Sequence, residues 1–152
     1  MKKMIAEFFP LGNGSLSSVF YCIGPGGESL PGPSQTLFAL IEESIPPSDA
    51  QLEALVGETE AGRYTPKDPR LPDWSVNNKD VWLAPPMAHP GHIAISNEYS
   101  GDFAVSEGAE PQQFTYAQFR AALKHWREFL ALIARDGKEH WVGRRYETEF
   151  PE

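Results

Sequence analysis

The stretch from Tyr116 to Arg135 constrains the fold of this chain more than any other. Tyr116, Phe119, Leu123, Trp126, Leu130 and Ile133 recur three or four residues apart, the spacing that places side chains on one face of an α-helix. Ala122, Phe129 and Leu132 widen that apolar stripe. Arg120, Lys124, Arg127, Glu128 and Arg135 fall on the wet side. Both ends are marked: Thr115 and Gln118 have the spacing of a capping box, Phe114 and Phe119 that of a hydrophobic staple, and Gly137 follows as a stop. One long helix over 116–135 is predicted, with a one-sided apolar face that needs a partner surface.

Alternating segments supply that surface. Residues 4–9 and 16–23 flank Gly12-Asn13-Gly14 and predict an opening hairpin. Residues 92–97 alternate, with Ile93 and Ile95 on one face, as do 102–107 with Phe103 and Val105. Glu98-Tyr99-Ser100-Gly101 is the expected turn between them. Residues 81–84 form a short strand stopped by Pro85-Pro86, and 141–150 a last strand with Val142, Tyr146 and Phe150 turned inward. Residues 34–43 fit either a helix capped by Ser34 or a buried strand. Ser48 and Gln51 mark a capping box for a short helix over 49–56, ending at Gly57. Residues 24–33 and 63–78 read as loops, the second pinned by Trp74. The sum is a single α+β domain over 1–152: a mainly antiparallel sheet of about five or six strands with the long C-terminal helix packed on one face.

Charge narrows the partners. Residues 1–114 hold 6 basic and 15 acidic side chains, and residues 115–152 hold 7 and 6, giving the net −8. Nucleic acid and anionic membrane are poor partners for such a surface, because phosphate binding needs clustered Lys and Arg. No apolar run approaches the roughly 20 residues of a membrane span, and residues 1–7 meet Glu7 and Pro10 before a signal-like stretch develops. Cys22, the single cysteine, has no intramolecular disulfide partner. A cytoplasmic location is expected.

No catalytic, metal or cofactor template fits. His89-Pro90-Gly91-His92 is the one close histidine pair, but Pro-Gly between the rings makes a turn, and a metal site needs further ligands such as Asp80 or Glu98. Cys22 stands beside Phe20, Tyr21 and Ile23, where a small buried residue belongs. Gly24-Pro25-Gly26-Gly27 lacks the Gly-Lys-Ser/Thr ending of a phosphate loop. Ser15, Ser17 and Ser18 lie in no Gly-x-Ser-x-Gly elbow, and Glu42-Glu43 sit where a solvated helix face is the default. His125, next to Lys124, is expected at the surface.

Two acidic stretches remain. Residues 97–113 carry Glu98, Asp102, Glu107 and Glu110 without a Lys or Arg, and Tyr99 stands on the expected turn. Residues 42–60 carry Glu42, Glu43, Asp49, Glu53, Glu58 and Glu60, again without a base. Carboxylates around an exposed aromatic suit a basic protein partner, since the charges speed association and the aromatic supplies a desolvated anchor.

An acidic α+β domain with the hairpin at 92–107, the long aromatic helix and the terminal strand at 141–150 resembles the immunity proteins of bacterial contact-dependent inhibition and related polymorphic toxin systems. The resemblance is one of style over residues 92–150 and carries no motif, so it assigns no residue a role. It implies tight binding in the cytoplasm to one cognate toxin domain, often a nuclease; the acidic charge makes that partner basic, and no cofactor is expected. On charge and composition, Glu98, Tyr99, Asp102, Glu107 and Glu110 are the expected binding surface, with 42–60 as the competing patch. The alternative is a small enzyme or ligand-binding domain, with a pocket near His89 and His92 and the Gly-rich loop after Cys22. A third reading, an assembly component of a phage or secretion apparatus, predicts an extended symmetric interface.

Overall fold

The computed structural model describes residues 1–43, 46–69, 71–76, 79–96 and 111–152. β1 (Lys3–Pro10) and β2 (Leu16–Ile23) form the expected antiparallel hairpin, in register from Lys3 opposite Ile23 to Pro10 opposite Leu16. Its turn is held by Asn13, whose Oδ1 accepts from Ser15 N at 3.0 Å, and by Gly14 at φ 85°, a left-handed conformation that a Cβ disfavours. Alternation puts Met4, Ala6, Phe8, Phe20 and Cys22 on the buried face.

Two helices follow. α1 (Pro31–Glu43) resolves the open reading of 34–43 as helix. Pro31 opens it, a position where a missing N–H costs nothing. Ser34 is no cap. Its hydroxyl accepts from Cys22 N at 2.8 Å and donates to Leu30 O at 2.6 Å, fastening α1 to β2. α2 (Pro46–Glu60) begins earlier and ends later than the expected 49–56. Gly57 lies inside it, and the turn that ends it is closed by Gly62 at φ 72°, whose N–H reaches Thr59 O. Burial of Leu52 and Val56 on one face outweighs the penalty of about 1 kcal/mol for a mid-helix glycine.

The middle of the chain is a meander: β3 (Trp74–Val76), β4 (Lys79–Trp82), β5 (His92–Ile95) and β6 (Gln112–Thr115), in that order and antiparallel throughout. β3 falls inside the expected loop 63–78. The expected arm at 102–107 and its turn at 98–101 lie outside the described residues. At Ala94 and Ile95 both edges of β5 are taken, by β4 and by β6. β6 runs straight into α3 (Tyr116–Asp136): Thr115 ends the strand and caps the helix, accepting from Gln118 N at 3.1 Å while its own N–H donates to Gln118 Oε1 at 3.0 Å. Gly137 closes α3 through its N–H to Ile133 O.

The last strand is shorter than expected. Residues Glu139–Trp141 form a 3₁₀ turn, Gly143 takes φ 76°, and Val142 is 48% exposed, so extension starts only at β7 (Tyr146–Glu149). β7 pairs with the other edge of β1, from Lys3 opposite Glu149 to Ala6 opposite Tyr146. The strands therefore divide into two antiparallel sheets, ordered β2-β1-β7 and β3-β4-β5-β6, where one sheet was expected. No pairing among the described residues crosses between them, because the first is built from the chain's ends and the second from its middle.

α3 joins the two. It touches β1 and β7 of one sheet and β5 and β6 of the other. One apolar cluster runs through both, from Met4, Phe8 and Phe20 to Val81, Ile93 and Phe114. Phe119, Ala122, Leu123, Trp126 and Phe129 face it as expected, whereas Leu130 is 47% exposed. Phe129 sits among Phe8, Trp126, Trp141 and Tyr146, with ring centroids 5.5, 5.7, 6.0 and 6.4 Å away. Phe129→Ala should therefore cost roughly 3–5 kcal/mol, while Leu130→Ala should change stability by less than about 1 kcal/mol. Denaturant unfolding of the two variants checks this. Equal losses would mean the helix is docked through a different face.

Candidate functional site

The expected binding residues Glu98, Tyr99, Asp102, Glu107 and Glu110 lie outside the described residues. Their anchorage is described: Ile95, the last residue of β5, pairs with Gln112, the first of β6. The acidic segment thus leaves and re-enters the fold on neighbouring strands.

The competing patch at 42–60 changes character in three dimensions. Glu53 pairs with Arg127 at 3.0 Å, Glu60 pairs with Arg120, and Glu58 takes Arg63 through both guanidinium contacts at 3.0 and 3.2 Å. Glu53 and Glu60 are seven residues apart on α2, as Arg120 and Arg127 are on α3, and they match in antiparallel order. Seven residues span about two helical turns, so the two pairs form one short ladder between the helices. A stretch free of bases along the chain is crossed by arginines in space, and its Glu53–Glu60 part is no open acidic surface.

The histidine turn is open. The His89 and His92 rings stand 5.9 Å apart, edge to face, and His92 Nδ1 lies 2.9 Å from Pro90 O. Among the described residues no group of three or more His, Cys, Asp or Glu is placed to hold a metal ion. Cys22 is fully buried, and desolvation pushes its thiol up to about 12 against a small opposing pull from Lys2. A thiol so far from ionising is no nucleophile.

A cleft of about 390 Å³ lies elsewhere than at the histidines. Leu30, Pro31, Gly32 and Pro33, at the entry to α1, form one wall. Gln112, Gln113 and Phe114 of β6 form a second, and Lys2, Gln118 and Phe150 complete it. The Gly-rich loop after Cys22 precedes its Leu30–Pro33 wall in the chain, but none of Gly24–Gly27 is among the lining residues. The histidine turn meets it only through Gln113, which accepts from His89 N and donates to Met87 O, both at 3.0 Å. Among the described residues no Trp or Tyr lines it. The glutamines gave no signal in the sequence because two sit in a strand and one in a cap, and only the return of the C-terminal segment brings them together.

The class this architecture defines is α+β, with two antiparallel sheets bridged by one long C-terminal helix. The chain matches no family model, no curated protein and no solved structure. Among the described residues no helix is long and apolar enough to cross a membrane.

His125 departs from its expected place at the surface. It is 1% exposed. Its ring stacks on Tyr146 at 4.8 Å, meets Phe20 edge-on at 5.6 Å, and bonds Thr148 Oγ1 through Nδ1 at 2.6 Å. The sequence did hold a signal: His125 is three residues from Ala122 and four from Phe129, both on the apolar face. Nε2 is buried with no hydrogen-bond partner among the described residues. Burial holds the imidazole down at about 4 from its usual 6.5, against a smaller opposing effect of the Glu128 carboxylate. The folded state therefore favours the neutral ring. Its contribution is whole above pH 6.5 and is lost as pH falls toward 4, with a slope of up to ~1.4 kcal/mol per pH unit. Between pH 7 and pH 5 the wild type should lose about 2 kcal/mol through this group, and His125→Gln should lose that dependence. Unfolding midpoints at pH 7, 6 and 5 for both proteins measure it. Parallel curves would show that His125 is not the titrating group.

Proposed function

We propose that the protein works by binding another protein, as an immunity protein that neutralises a cognate basic toxin, with nuclease domains among the candidates. The observation that carries this reading is the contrast between the two acidic stretches. Residues 97–113 hold four carboxylates and no base, half of the net charge of −8, and the segment is rooted on the paired strands β5 and β6. The rival stretch on α2 has Glu53, Glu58 and Glu60 committed to arginines. A segment anchored on paired strands is a common place for recognition residues. Carboxylates there raise the encounter rate with a basic partner, and Tyr99 offers the flat, amphipathic anchor that dominates many interfaces. Blocking requires only occlusion, so the inhibitor itself needs no catalytic group.

The test is capture of the toxin-like protein encoded beside this one, followed by binding kinetics at low and high salt. Reversing Glu98 and Glu110 to Lys should slow association roughly tenfold at low salt and flatten its salt dependence. Glu53→Lys should leave the association rate within about twofold, since that carboxylate already has a partner. Tyr99→Ala should act on dissociation, with a loss of about 2 kcal/mol or more. Kinetics indifferent to salt and to these substitutions would overturn the surface, and failure to bind that neighbour would overturn the immunity reading.

A further inference from the structure

We propose that the cleft between α1, β6 and the C-terminal segment is a binding site for a small organic carboxylate with an apolar body. This does not rest on the immunity reading. Its volume, about 390 Å³, falls in the range of small-molecule pockets. Its lining is unusual in sign: a lysine and three glutamines, with no carboxylate among the ten residues. The apolar part comes from Leu30, Phe114 and Phe150.

Two of the three glutamines are spent on the fold. Gln118 accepts from Thr115 N and donates to Pro151 O at 2.9 Å. Gln113 is held at both ends by His89 N and Met87 O. Gln112 is different. Thr36, fully buried on α1, donates to Gln112 Oε1 at 2.8 Å. That bond fixes which way the amide faces and leaves the Nε2 donors turned to the wall at Gly32. A Cβ built on Gly32 would stand 3.2 Å from that nitrogen, so the space before Nε2 exists because residue 32 has no side chain.

Lys2 supplies the charge. Its Nζ lies 4.0 Å from Glu152 Oε2, a contact at the outer limit of an ion pair, and both side chains are partly exposed. A ligand carboxylate can take the place of Glu152 at Lys2 while accepting from Gln112 Nε2, with its hydrocarbon portion against Phe114 and Phe150. Charge-assisted bonds of this kind are about twice as strong as neutral ones, which selects an acid over the matching alcohol.

Sodium benzoate is the probe, titrated into ¹⁵N-labelled protein. Benzyl alcohol tests the need for charge, acetate the need for an apolar body, and an N-acetylated peptide ending in phenylalanine separates a free acid from a chain terminus. Benzoate should give saturable shifts in the amides of Gly32, Gln112 and Phe114, and the two small controls should bind at least about tenfold more weakly. Lys2→Met should weaken benzoate by about tenfold. Gly32→Ala should do the same, since its Cβ would press on Gln112 Nε2, with denaturant unfolding confirming that the variant is folded. Arg144→Gln, outside the cleft, should change nothing. The proposal is overturned by absent or unsaturable shifts, by benzyl alcohol binding as well as benzoate, by wild-type affinity in Lys2→Met and Gly32→Ala, or by binding of the peptide alone.

Discussion

Everything in this fold depends on covering one face of α3. That face is wide, reaching from Phe119 through Ala122, His125 and Trp126 to Phe129, and neither sheet is large enough to cover it alone. The three-stranded sheet contributes Phe8, Phe20 and Tyr146 to its surroundings, and the four-stranded sheet Ile93 and Phe114. The three-stranded sheet carries the Glu7–Arg145 and Lys3–Glu147 pairs and the buried Ile5 on its other face, while its Phe8 and Phe20 meet α3. Its stability is borrowed from the helix. At its start α3 is continuous with β6 through Thr115, and the first turn holds the C-terminal segment through Gln118 and Pro151. Helix, strand and chain end are thereby fixed to one another, and Gln118, which makes the last of these links, also lines the cleft.

The polar side of α3 is used as well. Arg120 and Arg127 lie on the wet side as expected, and from there they hold Glu60 and Glu53 of α2. Pairs this exposed contribute little stability each. Their matched seven-residue spacing does something else: it sets the direction and register of α2 against α3, while Leu52 and Val56 supply the burial. The same arrangement consumes acidity. The protein's negative charge is therefore less evenly spread than the count of Asp and Glu along the chain suggests.

What could be read from the sequence was what local chemistry dictates. The capping box at Thr115, the stripe on α3, the glycine stop at 137 and the Asn13-Gly14 turn each act within a few residues, and each stands as expected. What could not be read depends on distant partners. Gly57 looked like a helix end because its neighbours on α3 are invisible locally. Val142 looked like a core position because the alternation ignores the turn at Gly143. The division into two sheets follows from β7 returning to β1 across the whole chain. His125 has a charged neighbour, Lys124, in the chain, but its helical neighbour four residues on is the buried Phe129. The cleft was hidden for the same reason: Lys2, Gly32, Gln112 and Phe150 are far apart in sequence and meet only after folding.

Gln112 links the two proposed activities physically. Its backbone closes the last β5–β6 pair with Ile95, at the root of the acidic segment, while its side chain is held by Thr36 and turned into the cleft. A ligand at the Gln112 amide and a partner at the acidic segment would both act on β6, the strand that follows the segment. Binding coupled through a shared element is reciprocal, so any such effect must appear from both sides. The two sites nevertheless remain separable. Lys2 and Gly32 line the cleft and stand outside the acidic segment. A change in toxin affinity on adding benzoate, matched by an equal change in benzoate affinity on adding toxin, would therefore report on Gln112 and not on direct competition, which abolishes one binding event instead of scaling it.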